Sequence, residues 1–221
     1  MDIIEAIRTR KSIRAYKPDP VPKELLNEIL AVATRAPSAM NTQPWEITVV
    51  AGEPLENIRK GNVEMLLSGK APNPDFKSES YDGVYKQRQV ELAMELFRLL
   101  GIAREDKKKR MEWMAQGFRF FGAPAAVIVS TDKSLDPAHA YTDVGILMQT
   151  ICLAALARGL GTCIMGQGVM FPDVVRKHTG IPETKRIFLS TPVGYPDPAF
   201  PANQLKTARA SLEENVRFVG F

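Results

Sequence analysis

Apolar residues recur at helical spacing in several separate stretches of the chain. Between residues 22 and 35 every third or fourth position is apolar, and Pro37 follows shortly afterwards. This period is that of an amphipathic helix that buries one face, and a proline stops such a helix. The second half of 137–158 is apolar nearly all round, which predicts a long central helix. The pattern predicts helices over residues 2–10, 22–35, 86–100, 106–121, 137–158 and 172–179, with a helical turn over 54–60.

Shorter runs of β-branched and aliphatic residues lie between these helices. They predict strands over residues 46–50, 125–131 and 186–196, and a short strand or extended turn over 162–165. Residues 68–84 are rich in Gly, Pro, Ser and Asn and predict a loop, while 199–221 has little pattern and is expected to lie extended. Few short strands separated by helices indicate an α+β or three-layer fold, which we expect to form a single domain over residues 1–221.

Composition and charge narrow the classes of partner. The chain has 221 residues and a formal net charge of +4. This mild excess suits an anionic ligand, but it is not the pattern of a dedicated nucleic-acid-binding protein, and we expect no such partner. Cys152 and Cys163 form no CxxC pair, so two buried, reduced thiols are expected. No leader segment is visible and the apolar run at 144–157 is too short to span a bilayer, so we expect a cytoplasmic protein without a membrane partner.

Familiar catalytic motifs are absent from the sequence. It contains no G-x-S-x-G elbow, no P-loop and no complete G-x-G-x-x-G fingerprint. The two histidines, His139 and His178, have no partner at metal-site spacing, so we expect no metal. If the protein is an enzyme, a bound organic cofactor carries the chemistry, and no protein residue is assigned as catalytic.

Cations crowd together near the N-terminus of the chain. The five residues are Arg8, Arg10, Lys11, Arg14 and Lys17. Like charges at this spacing repel each other. The cluster is therefore either a solvated face at the C-terminal end of a short helix or a binding site for an anion. Two further stretches, 35–50 with many donor side chains and 158–168 with several glycines, are candidates for loops of a binding site.

Four groups of residues along the chain fit one pattern. They are R-K-S-I-R at 10–14, P-S-A-M-N-T-Q-P-W at 37–45, F-F-G-A-P at 120–124 with G-L-G-T-C at 159–163, and the arginine at 209 before S-L-E-E. In this order they resemble the nitroreductase family of FMN-dependent oxidoreductases. The resemblance implies a three-layer α/β/α fold with a small mixed sheet around a long central helix. It also implies a variable cap region over about 61–117 and a homodimer that exchanges the C-terminal tail, 199–221.

The resemblance implies which side chains hold the FMN phosphate and the edge of the flavin ring. Arg10, Ser12 and Arg209 are expected at the phosphate end, with Lys11 beside them. Arg14 is expected at the pyrimidine edge, where two-electron reduction places negative charge. Arginine suits a phosphate because its planar guanidinium makes paired, charge-assisted hydrogen bonds.

The flavin ring is expected to meet two further segments. One consists of Ile164, Met165 and Gly166, and the other, from the opposite subunit, contains Pro37 and Ser38 with Asn41 and Gln43 nearby. The first segment is expected to direct a backbone N–H at the flavin N5. Many relatives carry Pro followed by Gln or Glu where this chain has Ile164 and Met165. A backbone contact tolerates this change, whereas a side-chain contact is lost.

The activity implied is two-electron, ping-pong transfer from NAD(P)H through FMN to a small-molecule acceptor such as a nitroaromatic, a quinone or an enone. The alternatives are related flavin chemistry, such as reductive dehalogenation or flavin fragmentation, and a protein that binds FMN without turnover. Within 73–89, Phe76, Tyr81 and Tyr85 are large rings in a loop. Either they belong to a mobile cover that selects the acceptor, or they pin the loop to the helices around Trp113 and Phe118.

Overall fold

A computed structural model of the chain describes residues 1–77 and 80–221. Its helices are α1 (Ile3–Thr9), α2 (Lys23–Ala33), α3 (Gly52–Leu67), α4 (Gly83–Leu99), α5 (Lys107–Phe118), α6 (Pro137–Ala157), α7 (Pro172–Thr179) and α8 (Leu212–Asn215). Its strands are β1 (Trp45–Ala51), β2 (Ala125–Asp132), β3 (Gly161–Thr162) and β4 (Lys185–Gly194). Most predicted elements are therefore present with similar bounds.

The four strands form one sheet in the order β1-β2-β4-β3. Every neighbouring pair of strands is antiparallel. Within residues 1–77 and 80–221, the only parallel pairing is the isolated bridge between Ser12 and Thr162. The expectation of a mixed sheet was therefore wrong for the strands themselves. The connections between the strands are long and contain helices, for example α7 between β3 and β4. Only the folded chain therefore decides the relative direction of the strands.

Helices cover both faces of the sheet, which confirms the three-layer α+β fold. On β2, Val127 and Val129 enter the core shared with α2 and α6. Ala126 and Ile128 enter the opposite core, shared with α3 and α7. Since successive side chains of a strand point to opposite faces, a strand that is apolar at every position must be buried on both sides.

Helix α6 is the long central helix that the apolar pattern predicts. The Asp136 carboxylate caps its N-terminus by accepting hydrogen bonds from the backbone N–H groups of Ala138 and His139. Gly159 follows the C-terminal end with a φ of 76°, a left-handed conformation that glycine adopts without strain. By length and composition alone α6 could cross a membrane, but here it packs against α2 and the sheet as a core helix.

Two helices differ from the prediction. The expected turn over 54–60 is the full helix α3, which buries Leu55, Ile58 and also Asn62. An inward-facing asparagine interrupts the apolar stripe, and this is why the sequence pattern underestimates the helix. Helix α5 ends three residues before the predicted end at 121, because Phe120 and Phe121 take left-handed φ angles of 54° and 52°.

The C-terminal tail is mostly without regular structure, as predicted, but it contains two short turns. One is a single 3₁₀ turn over Pro201–Gln204. The other is α8, which begins with a capping box in which the side chains of Ser211 and Glu214 satisfy each other's backbone N–H groups. The Ser-x-x-Glu spacing is the sequence signature of this cap.

Candidate functional site

The segment that carries the N-terminal cations lies in extended conformation along the sheet. Ser12 pairs with Thr162, and the Ile13 N–H donates to the Thr162 carbonyl at 2.9 Å. Because alternate residues of an extended segment share a face, Arg10, Ser12 and Arg14 lie on one side. Ile13 is buried against the glycine at the start of β3. The structure therefore brings together three of the predicted FMN-binding residues.

These three side chains all act on the pKa of one buried thiol, although Arg10 and Arg14 line two different cavities. Burial raises the pKa of Cys163, while the positive charge of Arg14, a hydrogen bond from Ser12 and the positive charge of Arg10 act in the opposite direction. Burial also raises the pKa of Cys152 to about 11. Both thiols are free and buried, as predicted. They form the apolar floor beneath the cations.

Asn203 holds the same segment from the tail side. Its side-chain carbonyl accepts from the Arg14 N–H at 2.7 Å, and its amide donates to the Ala15 carbonyl at 2.9 Å. The Lys11 ammonium donates to the Asn203 backbone carbonyl. Lys11 therefore contacts the tail, and it lines the same cavity as Arg10 and Asn203. Asn203 is almost fully buried, and nothing in the sequence pattern around it marks this role.

The segment expected against the flavin ring is anchored on β4. Met165 forms an antiparallel bridge with Ser190, in which the Met165 N–H donates to the Ser190 carbonyl at 2.9 Å. The N–H groups of Ile164 and Gly166 meet no acceptor among residues 1–77 and 80–221. We call Arg10, Ser12 and Arg14, together with residues 164–166, the first half-site. It offers two guanidinium groups, one hydroxyl and two available backbone donors.

The loop that contains Pro37, Ser38, Asn41 and Gln43 is the second half-site. The Ser38 hydroxyl accepts from the Gln43 N–H at 2.9 Å. Three non-glycine residues have left-handed φ angles: Met40 at 51°, Asn41 at 57° and Gln43 at 47°. Such conformations are uncommon outside glycine and concentrate at functional sites. The loop is largely exposed, and the Met40 side chain is 95% exposed.

The two half-sites lie apart within one chain. The second is tied to α6 through the Ala39 N–H, which donates to the Asp143 carboxylate at 3.2 Å. The first lies near Cys152, whose pKa feels the charge of Arg10. Asp143 and Cys152 are separated by about 14 Å along the helix axis, at 1.5 Å per residue. Within one chain, the two half-sites are therefore anchored at separate places along α6.

Arg209 also lies away from the first half-site in its own chain. Its guanidinium donates to the Thr207 hydroxyl at 2.8 Å and to the Ala208 carbonyl at 2.9 Å. It lines a cavity of about 800 Å³ between α4 and the tail, whereas Arg10 lines a different cavity.

The loop between α3 and α4 divides into a packed part and an exposed part. The Asp75 carboxylate pairs with the buried guanidinium of Arg176 at 2.6 Å. Phe76 stacks on Tyr141 with a centroid distance of 4.2 Å. Its partners are Tyr141 and Phe188, so the expected pinning to the helices around Trp113 and Phe118 was wrong. Ser78 and Glu79, part of the proposed cover, lie outside the described residues.

The two tyrosines that follow behave differently from Phe76. Tyr81 is 59% exposed and Tyr85 is 65% exposed. Helix α4, which begins after Tyr81, buries only Leu96. Large rings presented to solvent are available for contact with a ligand or a second chain.

The first half-site fits FMN. Its guanidinium groups and hydroxyl suit a phosphate and an anionic ring edge, and its available backbone N–H groups suit acceptor atoms of a ring. No cluster of three or more potential metal ligands occurs within the described residues. Sequence reasoning missed Asn203, Ser190 and Asn62, which support this half-site. They are single polar residues whose burial becomes visible only in the folded chain.

The fold and this site define the class of protein. The Nitroreductase family model matches residues 7–195, and the chain belongs to that family. The predicted family is therefore confirmed.

Individual relatives cover almost the whole chain. Nitrobenzene nitroreductase of Ectopseudomonas oleovorans is 33% identical over 220 residues, which cover 98% of this chain and 96% of the relative. Nitroreductase NfnB of Mycolicibacterium smegmatis is 30% identical over 217 residues, with 96% and 90% covered. The crystal structure of the FMN and NADPH-dependent nitroreductase NfnB from Sphigopyxis sp. strain HMH superposes with a TM-score of 0.95 at 29% identity, over 100% of both chains.

Proposed function

We propose that this protein is an FMN-dependent oxidoreductase that takes electrons from NAD(P)H and reduces nitroaromatic compounds. The observation that carries the proposal is the convergence of Arg10, Ser12 and Arg14 on one face beside the available backbone donors at 164–166. FMN, when bound, supplies the two-electron redox chemistry, and the chain binds and tunes it. The relatives support this: one is a nitrobenzene nitroreductase, and a solved neighbour is FMN and NADPH-dependent.

The side chains of the first half-site have different tasks. Arg10 and Ser12 hold the phosphate, whose charge is present in every redox state. Arg14 lies at the ring edge, where negative charge appears on reduction. At 4 Å and an effective dielectric constant of 20, one such charge pair is worth about 4 kcal/mol before desolvation is subtracted. Arg14 therefore favours the reduced cofactor, whereas Arg10 favours binding.

The working unit is a homodimer in which the second half-site of one chain completes the first half-site of the other. The separation of the half-sites along α6 and the exposure of the strained loop support this arrangement. The tail 199–221 is exchanged as well. Among residues 1–77 and 80–221, the Arg209 guanidinium hydrogen-bonds only to Thr207 and Ala208, which supports a role for Arg209 in the site of the partner. An obligate dimer also covers the apolar side chains that α1 exposes.

The acceptor range extends beyond nitroaromatics to quinones and enones. The first half-site contacts the cofactor rather than the acceptor, so its chemistry does not select one electron-poor compound over another. The exposed rings of Tyr81 and Tyr85 select among the electron acceptors. Both NADH and NADPH are candidate donors, and the cytoplasm, where these donors are produced, is the proposed location.

An anaerobic titration tests the proposal. The purified protein, reconstituted with FMN and desalted, should be yellow, and denaturation should release a flavin that co-migrates with FMN. NADH or NADPH should then bleach the flavin absorbance, and nitrobenzene, a quinone or an enone should restore it. Recovery of FAD, or of no flavin, contradicts the cofactor assignment. Retention of FMN without bleaching by either donor identifies a protein that binds FMN without turnover.

A further inference from the structure

Ser190 makes one more hydrogen bond to Met165, next to the Met165–Gly166 peptide, than an antiparallel bridge requires. The Met165 carbonyl accepts from the Ser190 N–H at 3.0 Å and also from the Ser190 hydroxyl at 3.2 Å. The Met165 N–H donates to the Ser190 carbonyl at 2.9 Å. Ser190 is fully buried. Two donors on one carbonyl restrict the rotation of the peptide plane that follows Met165.

The same peptide plane carries the Gly166 N–H. This peptide is trans, so its carbonyl and its N–H point in opposite directions. With the carbonyl directed at Ser190, the N–H points away from β4. It finds no acceptor among residues 1–77 and 80–221. The contacts that fix the orientation of the Met165 carbonyl therefore also fix the direction of the Gly166 N–H.

The turn after Gly166 is shaped to leave room for the Ser190 hydroxyl. A Cβ at Gly168 would lie 2.7 Å from the Ser190 hydroxyl oxygen and 2.5 Å from the Phe120 ring. The Asn62 amide donates to the Gly168 carbonyl at 3.0 Å and holds the turn from the other side. Only glycine at 168 allows Ser190, Phe120 and Asn62 to close around this turn.

We propose that Ser190 is a positioning residue, whose hydroxyl aims the Gly166 N–H at the flavin ring. The proposal rests on the FMN site proposed above. A donor that is aimed before the cofactor arrives does not reorganise during electron transfer, and this is how a fixed dipole stabilises developing charge. Without the hydroxyl, the Met165 carbonyl keeps only the Ser190 N–H, and the peptide plane can rotate.

The variant Ser190→Ala tests the proposal on this one peptide. Met165–Gly166 is the only Met-Gly pair in the sequence. Labelling methionine with ¹³C at the carbonyl and glycine with ¹⁵N therefore selects one resonance in an HNCO experiment. In the FMN-free protein, Ser190→Ala should shift the Met165 carbonyl carbon upfield. On addition of FMN, the Gly166 amide proton should move downfield in the wild type and by less in the variant.

The rate of flavin reduction should be lower in Ser190→Ala than in the wild type. Loss of one buried hydrogen bond of ordinary strength corresponds to about a fivefold slower reduction of the flavin by NADPH and a lower flavin midpoint potential. The dissociation constant of FMN should change by less than about twofold, since the phosphate contacts stay intact. Ser130→Ala is the matched control, because Ser130 is a buried serine on the neighbouring strand that makes no hydrogen bond to residues 163–169 of the described chain. It should leave both resonances and the rate unchanged.

Three results overturn the proposal alone. The first is a Gly166 amide that does not respond to FMN in an FMN-binding wild type, and the second is an equal response in wild type and Ser190→Ala. Equal losses in Ser190→Ala and Ser130→Ala also overturn it, because the effect is then one of packing. A wild-type protein that binds no FMN contradicts the proposed function and, with it, this proposal.

Discussion

The first and second half-sites differ in how much of their own chain surrounds them. The segment that carries Arg10 and Arg14 pairs with β3, is tied to Asn203 and lies over a buried thiol. The loop at 37–43 has one anchor on the core, the carboxylate of Asp143, and faces solvent. Packing therefore holds the first half-site in place. The second keeps its shape mainly through hydrogen bonds within the loop.

The backbone of the second half-site carries the strain. Each non-glycine residue in a sparsely populated region costs on the order of 1–3 kcal/mol, and three of them fall within Met40–Gln43. Such strain persists where the surroundings enforce it. The comparison indicates that contacts within one chain fix the shape of the first half-site, whereas the second is exposed for contact with a second molecule. Each experiment below tests that distinction between the two half-sites.

The largest effect is expected from complementation between two inactive chains. One carries Arg10→Ala and Arg14→Ala, and the other carries Ser38→Ala, Asn41→Ala and Gln43→Ala. If the half-sites come from opposite chains, mixed dimers contain one intact site of two, and random assortment restores about one quarter of wild-type activity. The measurement is nitrobenzene reduction by co-expressed, differently tagged chains.

Each inactive chain co-expressed with a tagged copy of itself provides the control and should stay inactive. Mixed dimers that form but remain as inactive as these controls would place both half-sites in the same chain.

The second largest effect is a difference between Arg10 and Arg14 in their influence on FMN affinity and on the rate of reduction. Arg10→Ala should weaken FMN binding by about 10- to 100-fold, because a charge-assisted hydrogen bond to the phosphate is lost. Arg14→Ala should slow reduction by NADPH about 10-fold with little change in FMN affinity, because its partner charge appears on reduction. Equilibrium binding and anaerobic stopped-flow kinetics measure the two quantities.

The exposed cation Arg8 supplies the control, and Arg8→Ala should change neither quantity. Parallel effects of Arg10→Ala and Arg14→Ala on both affinity and rate would contradict this division of tasks.

A smaller effect concerns the loop that follows α3. Phe76→Ala should lower the free energy of unfolding by about 2 kcal/mol, less than for a fully buried ring, because Phe76 is half-buried against Tyr141. Tyr81→Ala should change it by less than about 0.5 kcal/mol, since the ring is exposed. Urea denaturation gives both values.

Acceptor preference separates the two rings further. Tyr81→Ala should alter the ranking of nitrobenzene, quinone and enone, whereas Phe76→Ala should leave it in place. An unchanged ranking in Tyr81→Ala would remove the proposed cover over the acceptor.

The next prediction concerns the pKa of the buried Cys152 thiol beneath the first half-site. Burial raises the pKa of Cys152 to about 11 from its ordinary value of 9.0. The folded protein therefore retains this proton longer than the unfolded chain does, and the associated stability is lost as the pH rises from 9 to 11. Between these pH values the wild type should lose more stability than Cys152→Ala, by up to about 2.7 kcal/mol at 1.36 kcal/mol per pKa unit, as measured by urea denaturation at a series of pH values.

Alkylation compares the two half-sites directly. At pH 8 iodoacetamide should leave Cys152 and Cys163 unmodified until the protein unfolds. A cysteine introduced by Met40→Cys should react quickly in the monomer and slowly in the dimer. Rapid reaction of Cys163 in the native protein would show that the first half-site is looser than its packing indicates.

Much of the fold could be predicted because it follows from short-range pattern. Helix α7 has the predicted bounds, and the stripe of α2 and the apolar length of α6 lead to the observed core. The prediction fails where a polar residue turns inward or a large residue takes an unusual conformation. Asn62 conceals the length of α3, and the left-handed Phe120 and Phe121 end α5 early.

The sequence alone determined the two-residue spacing of Arg10, Ser12 and Arg14, and the extended conformation seen in the structure places residues at that spacing on one face. The tertiary structure alone decided what surrounds that face. Asn203 and Ser190 are far away in sequence, and as isolated polar residues they leave no periodic signal. The separation of the half-sites along α6 is likewise set by which helices pack together, since packing joins residues that local backbone preferences cannot relate.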